Sequence, residues 1–208
     1  LYVGFTVDNF FSLANFNNLA SNTSVRFLIA LGVSGCLITK GTDLSAGRQV
    51  GLAACIAGVL LQRADYSGRM FPNMPEMNMI VVFIIVLALG AFVGIVNGVI
   101  ISKLNVPPFI ATLGTQTIVY GIALVFTDAQ PIGGFKKTYT QFVNGKILPM
   151  GEFPGLPYLL IIAVIFGLFF WFMYNKTTHG KYMYAIGGNE VAAEVSGVNT
   201  VKSKILIY

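Results

Sequence analysis

Three groups of residues in this chain have types and spacings that could do chemistry. Asp43 stands in Gly41-Thr42-Asp43-Leu44-Ser45, between two apolar stretches. A carboxylate so placed is costly unless it is paired or solvated, which makes it a candidate for a pathway or gating role. Thr42 or Asp43 could instead cap the helix that starts near Leu44, with Arg48 close enough in sequence to be the counter-ion of the acid. Glu190 and Glu194, four residues apart in Gly187-Gly188-Asn189-Glu190-Val191-Ala192-Ala193-Glu194-Val195-Ser196-Gly197, share one face of a short helix. Ser34, in Gly32-Val33-Ser34-Gly35, could be a nucleophile only with a general base at hand.

The serine segment resembles the nucleophile segment of rhomboid-type intramembrane proteases. The only histidine, His179, falls beyond the end of its apolar run, and a serine in a membrane helix is more often a packing or back-bonding residue. The chain holds no Gly-rich loop ending in Gly-Lys-Ser/Thr, no HExxH and no dinucleotide fingerprint. Cys36 and Cys55 both lie in apolar segments, where a thiol reads as packing. The expectation is a chain without catalytic residues, metal site or cofactor, and without a nucleotide site of its own.

The elements that carry these residues are membrane helices. Of 208 residues, 55% are hydrophobic and only 10% charged, with a mean hydropathy of +0.75. Soluble domains carry roughly 25% charged residues. The apolar runs are continuous rather than alternating, which points to helices and not a barrel. The predicted fold is all-α, a polytopic transmembrane bundle forming one domain over 1–208, with spans at about 1–6, 25–39, 46–61, 79–101, 109–126, 158–174 and from 205 onward. The segment 8–24, rich in Asn and Ser, reads as a surface stretch. The runs 25–39 and 46–61 are short for a crossing of about 20 residues, so they are either tightly coupled spans or parts of a helix broken within the membrane. Both ends read as interrupted apolar runs, so the chain is expected to be a piece of a longer protein.

Gly90, Gly94 and Gly98 recur every four residues in one span, as do Gly47 and Gly51 in another. Such stripes let helix backbones approach closely. Asn97, beside the longer stripe, either bonds across helices or lines a polar path. The net charge of +5 is spread over single residues and one pair, which does not suggest nucleic-acid binding. Alternating crossings put Lys40, Arg48, Lys103 and the loop 175–204 on one side, with seven Lys or Arg in short loops. Arg26, Arg63, Arg69, Lys136, Lys137 and Lys146 fall on the other, in longer ones. The positive-inside rule therefore makes the 175–204 loop cytoplasmic.

Within that loop, Asn189 reads as an N-cap, Gly187-Gly188 as a hinge and Gly197 as a stop. Eight or nine residues give a helix of about 12 Å, marginal alone in water. Its apolar stripe of Val191, Val195 and Val198, flanked by acids, suits docking on a protein better than on lipid.

Three motifs in order, Gly41-Thr42-Asp43-Leu44-Ser45-Ala46-Gly47, Val106-Pro107-Pro108-Phe109-Ile110-Ala111-Thr112-Leu113-Gly114-Thr115 and the 185–198 segment, resemble the bacterial monosaccharide permeases of ABC importers, the ribose/galactose type. The wording of 42–52 is most similar to the galactose/methyl-galactoside branch. The resemblance implies an ABC importer permease fold with a short cytoplasmic coupling helix, in a multi-pass protein of the bacterial inner membrane. It implies a homodimer and two partners, an ABC ATPase subunit inside and a periplasmic or lipid-anchored sugar-binding protein outside. It marks Gly180, Ala185, Gly187, Gly188, Asn189, Glu190, Ala192, Ala193, Glu194, Ser196 and Gly197 as the ATPase-coupling segment. It leaves Thr42, Asp43, Ser45, Asn97, Thr112 and Thr115 as candidates along the pathway or its gate. A ribose or nucleoside permease, and an ion-coupled sugar carrier, stand as alternatives.

Overall fold

The computed structural model describes residues 10–149 and 155–208. The expected span at 1–6 lies outside them. In chain order the elements are α1 (Leu13–Ile38), α2 (Ala46–Leu60), α3 (Met79–Lys103), α4 (Pro108–Phe126), α5 (Lys137–Val143), the two-residue strands β1 (Lys146–Ile147) and β2 (Leu156–Pro157), α6 (Tyr158–Lys176), α7 (Thr178–Gly188), α8 (Glu190–Val195) and α9 (Thr200–Ile207). Four of them, α1, α3, α4 and α6, are long and apolar enough to cross a membrane. The molecule is an all-α membrane bundle.

Local chemistry sets the ends. The Asn78 side chain accepts from the Ile80 amide at 2.9 Å and starts α3, and Lys103 sits in its last turn, where a cation suits the helix dipole. Proline opens α4 at its first position, where a missing N–H costs nothing. The helix α1 begins twelve residues before the expected run at 25–39, so most of the 8–24 stretch is helical rather than a surface loop, and Arg26 lies in a helix. Several polar groups in and before it are satisfied locally or across the fold. Ser12 caps Asn15 at 3.2 Å, Ser24 donates to the Ala20 carbonyl at 2.6 Å, and the Asn17 amide donates to the Gly155 carbonyl at 2.8 Å. The helix α2 has 15 residues, about 22 Å, against a hydrocarbon core of about 30 Å.

The long helices form two packed groups. α1 lies against α6, and α2 lies against α3 and α4, with α9 laid along α3. At one end the loops are clipped together. Gln62 and Phe135 form a β-bridge, the Arg63 amide donates to Gly134 at 2.9 Å, and the Lys136 amide donates to Leu61 at 3.0 Å. The Lys136 ammonium adds bonds to the Met77 carbonyl at 3.0 Å and the Glu76 carboxylate at 3.1 Å. Leu60, Leu61 and Val82 pack beneath this clasp with Met74, Met77 and Tyr139. Most other large apolar side chains, including Phe83, Phe92, Leu168, Phe169 and Trp171, face outward, as hydrocarbon allows.

Candidate functional site

At the opposite end, α1 stops with a left-handed residue. The Gly41 amide returns to the Cys36 carbonyl at 2.8 Å and the Lys40 amide to Leu37 at 3.0 Å, with Lys40 at φ 58°. This closing loop normally holds glycine. A side chain there costs roughly 1–2 kcal/mol. The chain then turns through Thr42 and Asp43 into α2. One oxygen of Asp43 accepts from the Ser45 amide at 2.8 Å and from the Ser45 hydroxyl at 2.6 Å. This Asx turn settles how the acid is held, because it organises the helix start from just outside it. Arg48 is not its partner. The Arg48 guanidinium stands 4.1 Å over the Tyr120 ring, and among the described residues no salt bridge reaches Asp43.

From Ser45 a buried polar knot runs through three helices. The Ser45 hydroxyl accepts from the Asn97 amide at 2.9 Å and from Gln49 at 2.8 Å. The Asn97 carbonyl oxygen accepts from the Thr115 hydroxyl at 2.6 Å. One turn earlier on α4, the Thr112 oxygen accepts from the Leu44 amide at 3.2 Å and donates toward the Pro108 and Thr42 carbonyls at 2.8 and 3.3 Å. Ser45, Asn97 and Thr112 are fully buried. Asp43, Ser45, Asn97, Thr112 and Thr115 therefore form one connected cluster, with Thr42 at its edge through its carbonyl. Asn97 bonds across helices rather than facing an open path.

The glycine stripes divide. A side-chain carbon on Gly98 would stand 2.7 Å from the Ile205 Cα, and one on Gly94 would collide with the Tyr208 backbone, so α9 lies directly on α3 there. Gly47, Gly51 and Gly90 have nothing of the described chain within 4 Å of that position. Within this chain the expected packing stripe is engaged only at Gly94 and Gly98.

The 175–204 segment is more ordered than its charge suggests. It contains a second helix, α7, capped by Thr177, whose hydroxyl accepts from the Gly180 amide at 3.2 Å. Gly180 is buried against the Met173 and Tyr174 carbonyls at the bend from α6 into α7. Gly187 and Gly188 are the last residues of α7 and not a free hinge. The break falls at Asn189, which is extended (φ −151°) and caps α8 through the Ala192 amide at 3.1 Å. The Asn189 amide itself returns to the Ala185 carbonyl at 3.0 Å. The helix α8 is six residues long, shorter than expected. It closes at Gly197 (φ 88°), with Val198 donating to Ala193 at 3.0 Å and Gly197 to Glu194 at 2.9 Å.

Side-chain and backbone contacts fasten α8 and the end of α7 to their neighbours. Glu190 pairs with Lys204 of α9 at 2.5 Å. The Lys40 ammonium donates to the Gly188 carbonyl at 3.1 Å, and a side-chain carbon on Gly187 would strike the Ile38 carbonyl. A cavity of about 480 Å³ opens beside them, lined among others by Lys40, Asn105, Pro107, Asn189, Glu190 and Lys204. On α8, Ala193 is buried, while Ala192, Glu194 and Ser196 are exposed and Val191 and Val195 are 70% and 85% exposed. Of the expected stripe, Val191 and Val195 stand exposed and Val198 is half-buried. Ser34, by contrast, pairs with the Tyr174 hydroxyl at 2.6 Å and the Leu31 carbonyl at 2.6 Å, and no hydrogen bond among the described residues joins it to His179. It is a seam residue between α1 and α6.

Sequence reasoning named most members of both clusters but missed Lys40, Gln49 and Lys204 as structural partners. A lysine followed by glycine at the end of an apolar run was the available signal for Lys40. The pairing of Lys204 with Glu190 had none.

Residues 15–208 match a protein family described as the branched-chain amino acid transport system / permease component. The galactose/methyl galactoside import permease protein MglC of Haemophilus influenzae is 49% identical over 202 residues, covering 96% of this chain and 60% of the relative. The protein of that name from Salmonella typhimurium is 50% identical over the same shares. The ribose import permease protein RbsC of Escherichia coli is 35% identical over 201 residues, 96% of this chain and 58% of the relative. The chain spans about 60% of the length of these relatives. No solved structure matches it.

Proposed function

The chain belongs to the family of branched-chain amino acid transport system permease components, and from that premise we propose that it is the membrane-spanning part of an ABC importer for a monosaccharide, galactose or a methyl galactoside, in the bacterial inner membrane. The identity of about half its residues with proteins bearing that name, against about a third with a ribose permease, supports the choice of sugar. A separate ATPase supplies the energy, and a sugar-binding protein delivers the cargo on the other face. Two copies of the permease frame the path.

The observation that carries the mechanism is the continuous linkage from α8 to the buried knot. The exposed valine and glutamate face of α8 receives the ATPase. Its movement passes through Glu190 and Lys204 to α9, and from α9 through the close contact at Gly94 and Gly98 to α3. Asn97 lies on α3 between those glycines, so the same helix carries the shift to Ser45, Asp43 and Thr115. Small residues at the α3–α9 contact allow sliding with little loss of packing. The cluster at the start of α2 then acts as the gate element that this movement rearranges.

Uptake of labelled galactose by the full-length permease with its ATPase and binding protein tests this. Glu190→Lys removes an exposed ion pair worth under about 1 kcal/mol, so the protein stays folded, yet uptake falls about tenfold while ATP hydrolysis persists. The double exchange Glu190→Lys with Lys204→Glu recovers a substantial part. Unchanged uptake in Glu190→Lys, or uptake that survives ATP depletion while an ion gradient remains, would overturn the reading.

A further inference from the structure

Lys40 occupies a position that backbone geometry reserves for glycine. Its φ is 58°, at the loop that closes α1, and the two return bonds of that loop are made by backbone atoms alone. The Thr39 hydroxyl adds a bond to the Cys36 carbonyl at 3.0 Å, but the loop itself makes no use of the Lys40 side chain. The lysine side chain instead crosses to another element. Its ammonium donates to the Gly188 carbonyl at 3.1 Å, which is the last residue of α7 and a free acceptor at the negative end of that helix. The two helix ends are already pressed together, because Gly187 lies directly against the Ile38 carbonyl. Three and five residues along the chain from Lys40, on one side, are Asp43 and Ser45, the root of the buried knot. On the other side, the residues after Gly188 are Asn189 and Glu190, the start of α8.

From this we infer that Lys40 is a positioning residue that fastens the end of α7 to the gate turn, so that α8 movement reaches Asp43 directly as well as through α9. This deepens the importer reading and rests on it. The strain accepted at Lys40 separates this role from ordinary stabilisation. A glycine at position 40 relaxes the backbone while removing the tie, so it leaves the fold at least as stable. Arginine keeps a cation within reach of the Gly188 carbonyl, and methionine keeps the length without the charge.

The test uses full-length permease reconstituted with its ATPase and binding protein, reading galactose taken up per ATP hydrolysed. The wild type must first show ATP-driven uptake, and failure there sinks the importer reading and not the role of Lys40. Lys40→Gly is expected to lower uptake per ATP about fivefold, with a thermal midpoint equal to or above that of the wild type. Lys40→Met gives a similar loss and Lys40→Arg recovers at least half of the ratio. A ratio within twofold of wild type in Lys40→Gly overturns the inference. So does a Lys40→Arg variant as poorly coupled as Lys40→Met.

Discussion

The α1–α6 seam and the α2–α3–α4 knot lie in one bundle but are held by different forces. The seam is mostly apolar. Ala163 is buried in it, a side-chain carbon on Gly167 would stand 3.2 Å from the Phe27 ring, and the α1–α6 hydrogen bonds among the described residues both involve the Tyr174 hydroxyl, with the Ser34 hydroxyl at 2.6 Å and the Leu31 carbonyl at 3.4 Å. Lipid tails are as apolar as the side chains they replace, so such a seam gains little from the hydrophobic effect. The knot is fixed by directed bonds among Ser45, Asn97 and Thr115 and between Thr112 and the backbone of the 42–44 turn, buried where no water can take their place. One region can shift at low cost, whereas the other holds its geometry until several bonds exchange together.

Substitutions can break that contrast in order of expected effect. Asn97→Leu leaves the Ser45 and Thr115 hydroxyls short of a buried partner. It should destabilise the protein by about 2 kcal/mol in a detergent unfolding series and abolish galactose uptake. Phe27→Ala, in the seam, should cost under about 1 kcal/mol and keep more than half of the uptake, since lipid fills the space left. Equal losses for the two variants would erase the distinction.

The smallest effect concerns the clasp above both regions. The Glu76 carboxyl is held below its ordinary range, first by the hydrogen bond from Lys136, then by the Ala64 amide and the nearby Lys136 charge. A lowered pKa in the folded state means that its contribution is full above the ordinary glutamate range and is lost as pH falls through the lowered value. The thermal midpoint of wild type should therefore drop more than that of Glu76→Gln between about pH 6 and pH 3, by a margin small for so exposed a pair.

The same contrast explains what was legible in the sequence. The spans expected at 79–101, 109–126 and 158–174 agree with α3, α4 and α6 to within two residues, because unbroken apolar runs and opening prolines are local signals. The early turns of α1 were hidden, since the Asn17 amide finds its acceptor 138 residues away. The helix α7 carries the charges and glycines of a loop, and its one local start signal is the Thr177 cap. The apolar start expected at 205 is the second half of α9, which Asn199 initiates through the Lys202 amide. Residue types flagged Asp43 and Asn97 as unusual, but their bonding through Ser45 depends on the register of packed helices, which no single stretch encodes.

The loop clasp through Gln62, Arg63 and Lys136 has a mechanical corollary. It joins the tail of α2 to the chain beyond α4 at one rim by main-chain bonds, and the Lys136 ammonium ties in the head of α3 through the Met77 carbonyl. Three rods pinned at one rim behave as tongs. Their fulcrum is at the pinned end, and their widest travel is at the tips beside Lys40 and Asn105.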